Sequence, residues 1–213
     1  MSSKQFQSVA AMILHRVQAT PDAEAYYYPD ANDEWQTMQW KDVGVRVRSI
    51  AGGLRTLGIN LEDRCSILCS TCVEWVLIDL GINSAGAATT TIYPSSTAKD
   101  CAFILNNSGT RILFAEDESQ VDKIMEVQEE LPDLEKIILI NGRTRSNPLV
   151  VSLAELEEIG TKRDQEYPEE YTERINEITP EHLATLIYTS GTTGTPKGVE
   201  LIQDCWIFEA EAM

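Results

Sequence analysis

The 213 residues carry 34 acidic against 17 basic side chains, a formal net charge of −17, and 43% of them are hydrophobic. That is the length of one large domain or one and a half small ones, with room for a sizeable core. So negative a surface repels nucleic acid and anionic lipid, which makes both poor partners. It says less about nucleotides, because a small patch of donors binds phosphate against an unfavourable global field. No apolar run approaches the roughly 20 residues of a membrane span, so no transmembrane segment is expected. The five cysteines, three of them in CSILCSTC at 65–72, read as reduced cytosolic thiols rather than a disulfide framework.

In chain order, MSSKQFQSVAAMILHRV reads as an amphipathic first helix with Phe6, Val9, Ile13 and Val17 on one side, not as a signal peptide. Residues 25–29 and 35–40 read as two strands around a polar turn. Residues 41–58 read as a helix, with Val43, Val47, Ile50, Leu54 and Leu57 at three- and four-residue steps and Gly58 as the stop. A strand at 64–70, a mostly buried helix at 74–86 and a strand ended by Pro94 follow. Thr97 caps the next helix, which ends at Asn107, Ser108 and Gly109. Then come a strand at 111–116, a charged helix at 117–131 and a strand at 136–140. A polar loop runs over 141–147, and Ser152 with Glu155 forms a capping-box pattern for a short helix. DQEYPEEYTERINEI at 164–178 reads as an acidic surface excursion, and Thr179 with Pro180 starts a helical turn. A buried strand covers 183–190, and a last helix runs through IQDCWIFEAEAM. Short apolar strands alternating with helices predict an α/β fold, a partly parallel sheet flanked by helices.

The last strand runs into Y-T-S-G-T-T-G-T-P-K-G-V, Tyr188 to Val199. Four threonines, one serine, three glycines and a lysine share eleven residues there. Glycines let backbone approach a ligand closely, and successive N–H groups with hydroxyls form an anion-binding concavity. Lys197 adds a mobile point charge suited to phosphate oxygens. This is chemistry for a polyphosphate. It is not the P-loop NTPase motif, because the sixth position from Gly191 is Pro196 and no Ser or Thr follows Lys197. A flexible Gly/Thr linker would need neither an apolar strand before it nor a lysine fixed after proline.

YTSGTTGTPKGV resembles the signature loop of the adenylate-forming superfamily, which includes acyl-CoA synthetases, peptide-synthetase adenylation domains and firefly-type luciferases. The likeness extends through TPDAEAYYY, AGGLRTLGI, EWVLIDLGINSAGAATTTIYPSST, ILNNSGTRILFAED and SLAELEEIG, essentially the whole chain. IYPSST with the NNSG turn, and LPDLEKIILI before a variable loop, are most similar to the long- and medium-chain fatty acyl-CoA synthetases, and the chain as a whole to the long-chain type. The resemblance implies that residues 1–213 are the amino-terminal part of an AMP-binding domain whose adenine, acyl and hinge segments lie further along. It implies a fatty acid–CoA ligase that makes an acyl-adenylate from ATP and then the coenzyme A thioester. Ser190, Gly191, Thr192, Thr193, Gly194 and Lys197 are then the ATP contacts, and Thr189 joins them with a role in holding Mg²⁺. Fatty acid, ATP and coenzyme A are the implied partners. A cytoplasmic setting, or one peripheral to a membrane, is implied as well. The chain alone is expected to be inactive, and to associate with itself or with the missing carboxy-terminal half. Two departures stand out: Gln203 occupies a place where the family commonly has histidine, and Glu200 sets a negative charge near the phosphate loop. Two other readings remain open: a non-catalytic relative that binds a nucleotide or a partner, and an adenylating enzyme with another carboxylate or acceptor.

Other residues read as structural. Cys65 and Cys69, four apart on a strand, lie about 13 Å apart by strand rise and cannot share a zinc, so the thiols read as packing groups. His15 and His182 lack a neighbouring nucleophile or carboxylate pattern. Trp40, Trp75 and Tyr93 read as core and loop anchors.

Overall fold

The computed structural model of the chain describes residues 5–30, 32–143, 147–189 and 196–212. Helix α1 (Val9–Ala19) starts at Ser8, whose side chain accepts the Ala11 N–H. β1 (Glu24–Pro29) and β2 (Trp35–Gln39) pair antiparallel as a two-stranded ribbon. Trp40 is the first residue of α2 (Trp40–Thr56) rather than the end of a strand, and Gly58, at φ 87°, turns the chain away from that helix.

Next come β3 (Arg64–Leu68), α3 (Val73–Ser84), β4 (Ala88–Ile92), α4 (Ala98–Ser108), β5 (Thr110–Ala115), α5 (Glu118–Met125) and β6 (Lys136–Leu139). The chain continues through β7 (Val150–Ser152), α6 (Leu153–Glu166), α7 (Glu170–Glu177), β8 (Leu183–Thr189), β9 (Lys197–Ile202) and α8 (Gln203–Ala212). Thr97 caps α4, Gly109 ends it in the left-handed region and Ser152 with Glu155 caps α6, as the spacing predicts; Asp100 adds a capping box at Thr97.

The main sheet has the strand order β7-β6-β5-β3-β4-β8-β9. Its pairings are parallel except for β9, which runs antiparallel to β8. Strand alternation sends Ile112 and Phe114 into one core with α2, α3 and α6, and Leu113 and Ala115 into a second core with α4 and α5. Helices thus cover both faces of the sheet, as parallel strands require.

Three local expectations are corrected. The stretch 164–178 is not an excursion but the end of α6 and all of α7. Ile175 is buried, and Glu170 accepts two hydrogen bonds from Arg163, at 2.5 and 2.7 Å. Residues 180–182 form turns rather than a helical turn. The expected helix over 117–131 breaks at Met125 into a separate 3-10 turn at Gln128–Glu130. Lys197–Ile202 forms a further strand, β9, at a stretch for which the sequence carries no element.

Candidate functional site

The chain leaves β3 by α3 on one face of the sheet and leaves its neighbour β4 by α4 on the other. Such a reversal opens a crevice at the carboxyl ends of the two strands, where α/β proteins bind ligands. A cleft of ≈ 490 Å³ lies there. Its rim is Cys69, Ser70 and Thr71 after β3 and Tyr93 and Pro94 after β4, and α3 supplies Trp75 and Asp79 to its wall. Thr185 and Ile187 of β8 and Trp206 of α8 close the side next to the loop strand. A wider hollow of ≈ 740 Å³ between α1 and α8 takes no residue from β8 or β9.

The turn after β3 is held by Glu116, whose carboxylate accepts from the Ser70 N–H at 2.9 Å and the Ser70 hydroxyl at 3.0 Å. Asp79 keeps part of its surface on the cleft yet packs deep against the sheet. Burial pushes its carboxyl up to about 6. Sequence reasoning missed Asp79. Its signal was a carboxylate set within the apolar run WVLIDLGI. Tyr93, expected as an anchor, is 79% exposed at the cleft rim, whereas Trp40 and Trp75 are half-buried against the core.

β8 is buried over Ala184–Leu186 and then leaves the protein, so that Ile187 and Thr189 are exposed. Glu62 sets its start by accepting the Leu183 N–H at 3.0 Å. Near its end the Tyr188 hydroxyl donates to Asn107 Oδ1 at 2.7 Å, tying the strand to α4. Thr189 pairs in register with Lys197 of β9, so the two arms of the glycine-threonine segment stand side by side at the carboxyl edge of the sheet. Both residues are exposed. Ser190, Gly191, Thr192, Thr193 and Gly194 lie outside the described residues.

The donor chemistry at that base fits a phosphate group: one hydroxyl and one ammonium on directly opposed positions, within about 5.5 Å at Cβ. Among the described residues no group of three or more His, Cys, Asp or Glu is gathered to hold a metal. A magnesium ion is usually bound through one or two carboxylates, with water and substrate phosphate filling the rest of its shell. Thr189 offers a single neutral hydroxyl oxygen, the kind of ligand that a Ser or Thr supplies in P-loop enzymes.

Gln203, the departure noted in the sequence, is buried at the start of α8. Its Nε2 donates to Asn83 Oδ1 at 3.1 Å and its Oε1 accepts the Val9 N–H at 3.0 Å. It fastens α8 to α3 and α1. Glu200 is exposed on β9, opposite Leu186. His182 accepts the Thr179 N–H at 2.9 Å in a turn, and His15 packs against the Phe6 ring, so both are structural.

A model of the AMP-binding enzyme family matches residues 13–213. The chain is 34% identical over 202 residues to the long-chain-fatty-acid–CoA ligase FadD15 of Mycobacterium bovis, an alignment covering 95% of this chain and 32% of that protein. It is 32% identical over 174 residues to the long-chain-fatty-acid–CoA ligase ACSBG2 of Xenopus laevis, covering 81% of this chain and 23% of the relative. The chain therefore spans about a third or less of the length of these relatives. Among solved structures, the anthranilate CoA ligase AuaEII in complex with anthranoyl-AMP superposes with a TM-score of 0.77 at 20% identity, over 97% of this chain and 36% of that one. That likeness is one of fold.

Proposed function

The chain belongs to the AMP-binding enzyme family, and we propose that it is the amino-terminal part of an ATP-dependent fatty acid–CoA ligase. One observation carries this reading. The segment from Tyr188 to Val199 springs from adjacent, paired strands at the carboxyl edge of a parallel sheet, beside a cleft at the reversal of strand order. The names of the curated relatives favour a long-chain fatty acid as the carboxylate.

In that reaction a carboxylate oxygen of the fatty acid attacks the α-phosphorus of ATP, and the bond to pyrophosphate breaks. The coenzyme A sulfur then attacks the acyl carbonyl and AMP leaves, the thiol proton passing to solvent. The part assigned to this chain is electrostatic. Ser190, Gly191, Thr192, Thr193 and Gly194 offer neutral donors to the departing pyrophosphate, and Lys197 offers a full charge where negative charge builds up. Thr189 would hold a magnesium ion from this chain, and that ion would supply charge neutralisation to the phosphates. Trp75, Ile187 and Trp206 give the cleft an apolar wall suited to an acyl chain.

The test has two arms. The full-length protein is to exchange labelled pyrophosphate into ATP only when fatty acid is present. Residues 1–213 alone, given ATP, Mg²⁺, coenzyme A and fatty acids from C8 to C18, are to release no AMP. Exchange that ignores the fatty acid overturns the substrate class. AMP release by the chain alone at about 1–100 s⁻¹, an ordinary enzyme rate, overturns its assignment as a part that needs the remainder.

A further inference from the structure

At the cleft rim Cys69 touches a second thiol, Cys72, which lies just outside the lining, and the ligase reading uses neither. Cys69 follows β3 and Cys72 is the N-cap of α3, so Cys-Ser-Thr-Cys bridges a strand end and a helix start. Their sulfurs lie 3.8 Å apart. Cys72 is half-buried, and its Sγ accepts the Trp75 N–H at 3.4 Å, the usual place of an N-cap oxygen. Cys69 is buried and lines the cleft. The other cysteines are placed differently: Cys65 and Cys101 are buried, and Cys205 is exposed on α8.

We propose that Cys69 and Cys72 form a dithiol–disulfide site at the cleft rim, which reacts with low-molecular-weight disulfides and closes to an intramolecular Cys69–Cys72 bond. The roles of the two sulfurs follow from their surroundings. Cys72 is the more accessible and sits at the positive end of a 12-residue helix, which favours a thiolate. Contact with the Cys69 sulfur, in which either thiol could be the donor, holds Cys72 below the ordinary thiol value, while Cys69, whose thiol also donates to the Ser70 carbonyl at 3.1 Å, is raised. Glu74, in the first turn, opposes that shift in Cys72 without reversing it. Cys72 is therefore the attacking sulfur and Cys69 the resolving one.

The Cys72 thiolate attacks one sulfur of the disulfide RSSR and expels RS⁻, leaving a mixed disulfide on Cys72. Cys69 gives up its proton and attacks the Cys72 sulfur, the bond to the second RS group breaks, and a second RS⁻ leaves. The two thiol protons of the protein end on the two RS⁻ groups. The protein loses two electrons and RSSR is reduced to two RSH. The sulfurs need only a small change in side-chain torsion to meet, because the pair is already in contact.

The experiment treats residues 1–213 with glutathione disulfide, quenches with acid, alkylates under denaturing conditions and maps the cysteines by peptide mass spectrometry. Cys69 and Cys72 are to be linked to each other, with alkyl label on Cys65 and Cys101, and dithiothreitol is to restore label at both sites. In Cys69→Ser the resolving thiol is gone, so glutathione is to accumulate on Cys72. Label on both Cys69 and Cys72 after oxidation, or a bond from either of them to Cys65 or Cys205, overturns the proposal. The main readout uses the unaltered chain, so a variant that failed to fold would not shield it.

Discussion

Lys197 supplies the only ammonium of the Tyr188–Val199 segment, and it stands opposite Thr189 at the base of that segment. Charge-assisted hydrogen bonds are roughly twice as strong as neutral ones, so its loss should exceed the loss of any single threonine. In the full-length protein, Lys197→Ala is expected to slow fatty-acid-dependent pyrophosphate exchange by about 10- to 1000-fold, the scale of losing one transition-state donor. Thioester formation from supplied acyl-adenylate should change little. Equal losses in both half-reactions would break the link between Lys197 and pyrophosphate. Asp79 gives a second prediction, on stability. Its carboxyl is raised by burial from 3.8 to about 6, so between those values the folded chain holds a proton that the unfolded chain has released. Its contribution is therefore favourable in acid and is lost as pH rises from 4 through 6. A shift of about two units corresponds to about 3 kcal/mol. Asp79→Asn should thus gain stability over the native chain between pH 4 and pH 7, by an amount approaching that figure. Urea unfolding at pH 4, 5, 6 and 7 reads it, and two parallel profiles would contradict it. The pattern of legibility at this site follows from geometry. Thr189 and Lys197 stand out as candidates because a local string singles them out, and the structure adds only that they pair in register. Asp79 and the Cys69–Cys72 contact do not, because they depend on how α3 sits against β3 and β4.

The seat of α6 on α2 rests on glycine. A Cβ on Gly160 would fall on the Ser49 carbonyl oxygen and come within 2.5 Å of the Gly53 nitrogen, so the two backbones touch where no side chain fits. Ion pairs rim the same contact: Arg46 with Glu157 at 2.8 Å, and Arg48 with Asp164. The magnitudes separate the two effects. Forcing a methyl into such a contact costs about 1–3 kcal/mol or more, whereas a partly exposed ion pair contributes about 0–1 kcal/mol. Gly160→Ala should lower the unfolding free energy by at least about 2 kcal/mol on that scale, and Glu157→Gln by less than about 1 kcal/mol. Denaturant titration of both variants tests the order, and a Glu157 loss equal to or above the Gly160 loss would reverse it. The sequence shows α2 and the ends of α4 plainly, through the three- and four-residue spacing of Val43, Val47, Ile50 and Leu54 and the bracket of Thr97 and Gly109. It hides α7, because Glu170 and Arg174 look solvated until Arg163 and the buried Ile175 are seen to hold that helix. It hides β9 for a different reason. KGVELI has no strong local strand pattern and becomes a strand by pairing with β8 across the glycine-threonine segment.

At the scale of the whole molecule, two forces of different range act on association. A net charge of −17 keeps copies apart. Against it, β9 is an end strand of the seven-stranded sheet. Val199 and Ile202 on that strand, Ile187 beside them and Trp206 and Phe208 on α8 are exposed, Phe208 by 66%. Open strand edges and apolar patches favour pairing with another chain. Lys197 and Glu200 put charges on β9, which blunts that edge but leaves α8 uncovered. The repulsion is long in range and weakens as salt shortens the Debye length to about 8 Å at physiological ionic strength, while the apolar contact needs no charge. We therefore propose that residues 1–213 associate through the β9–α8 face, and that salt promotes the association. Light scattering over a concentration series should show the mean mass rising, and rising further between low and 0.5 M sodium chloride on the scale of this screening. Phe208→Glu combined with Val199→Lys, both at exposed positions, should return the chain to a monomer while leaving its circular dichroism unchanged. A constant monomer mass at every concentration and salt level would show that charge wins. A mass that falls with salt would mean that ion pairs rather than apolar contact hold the copies together.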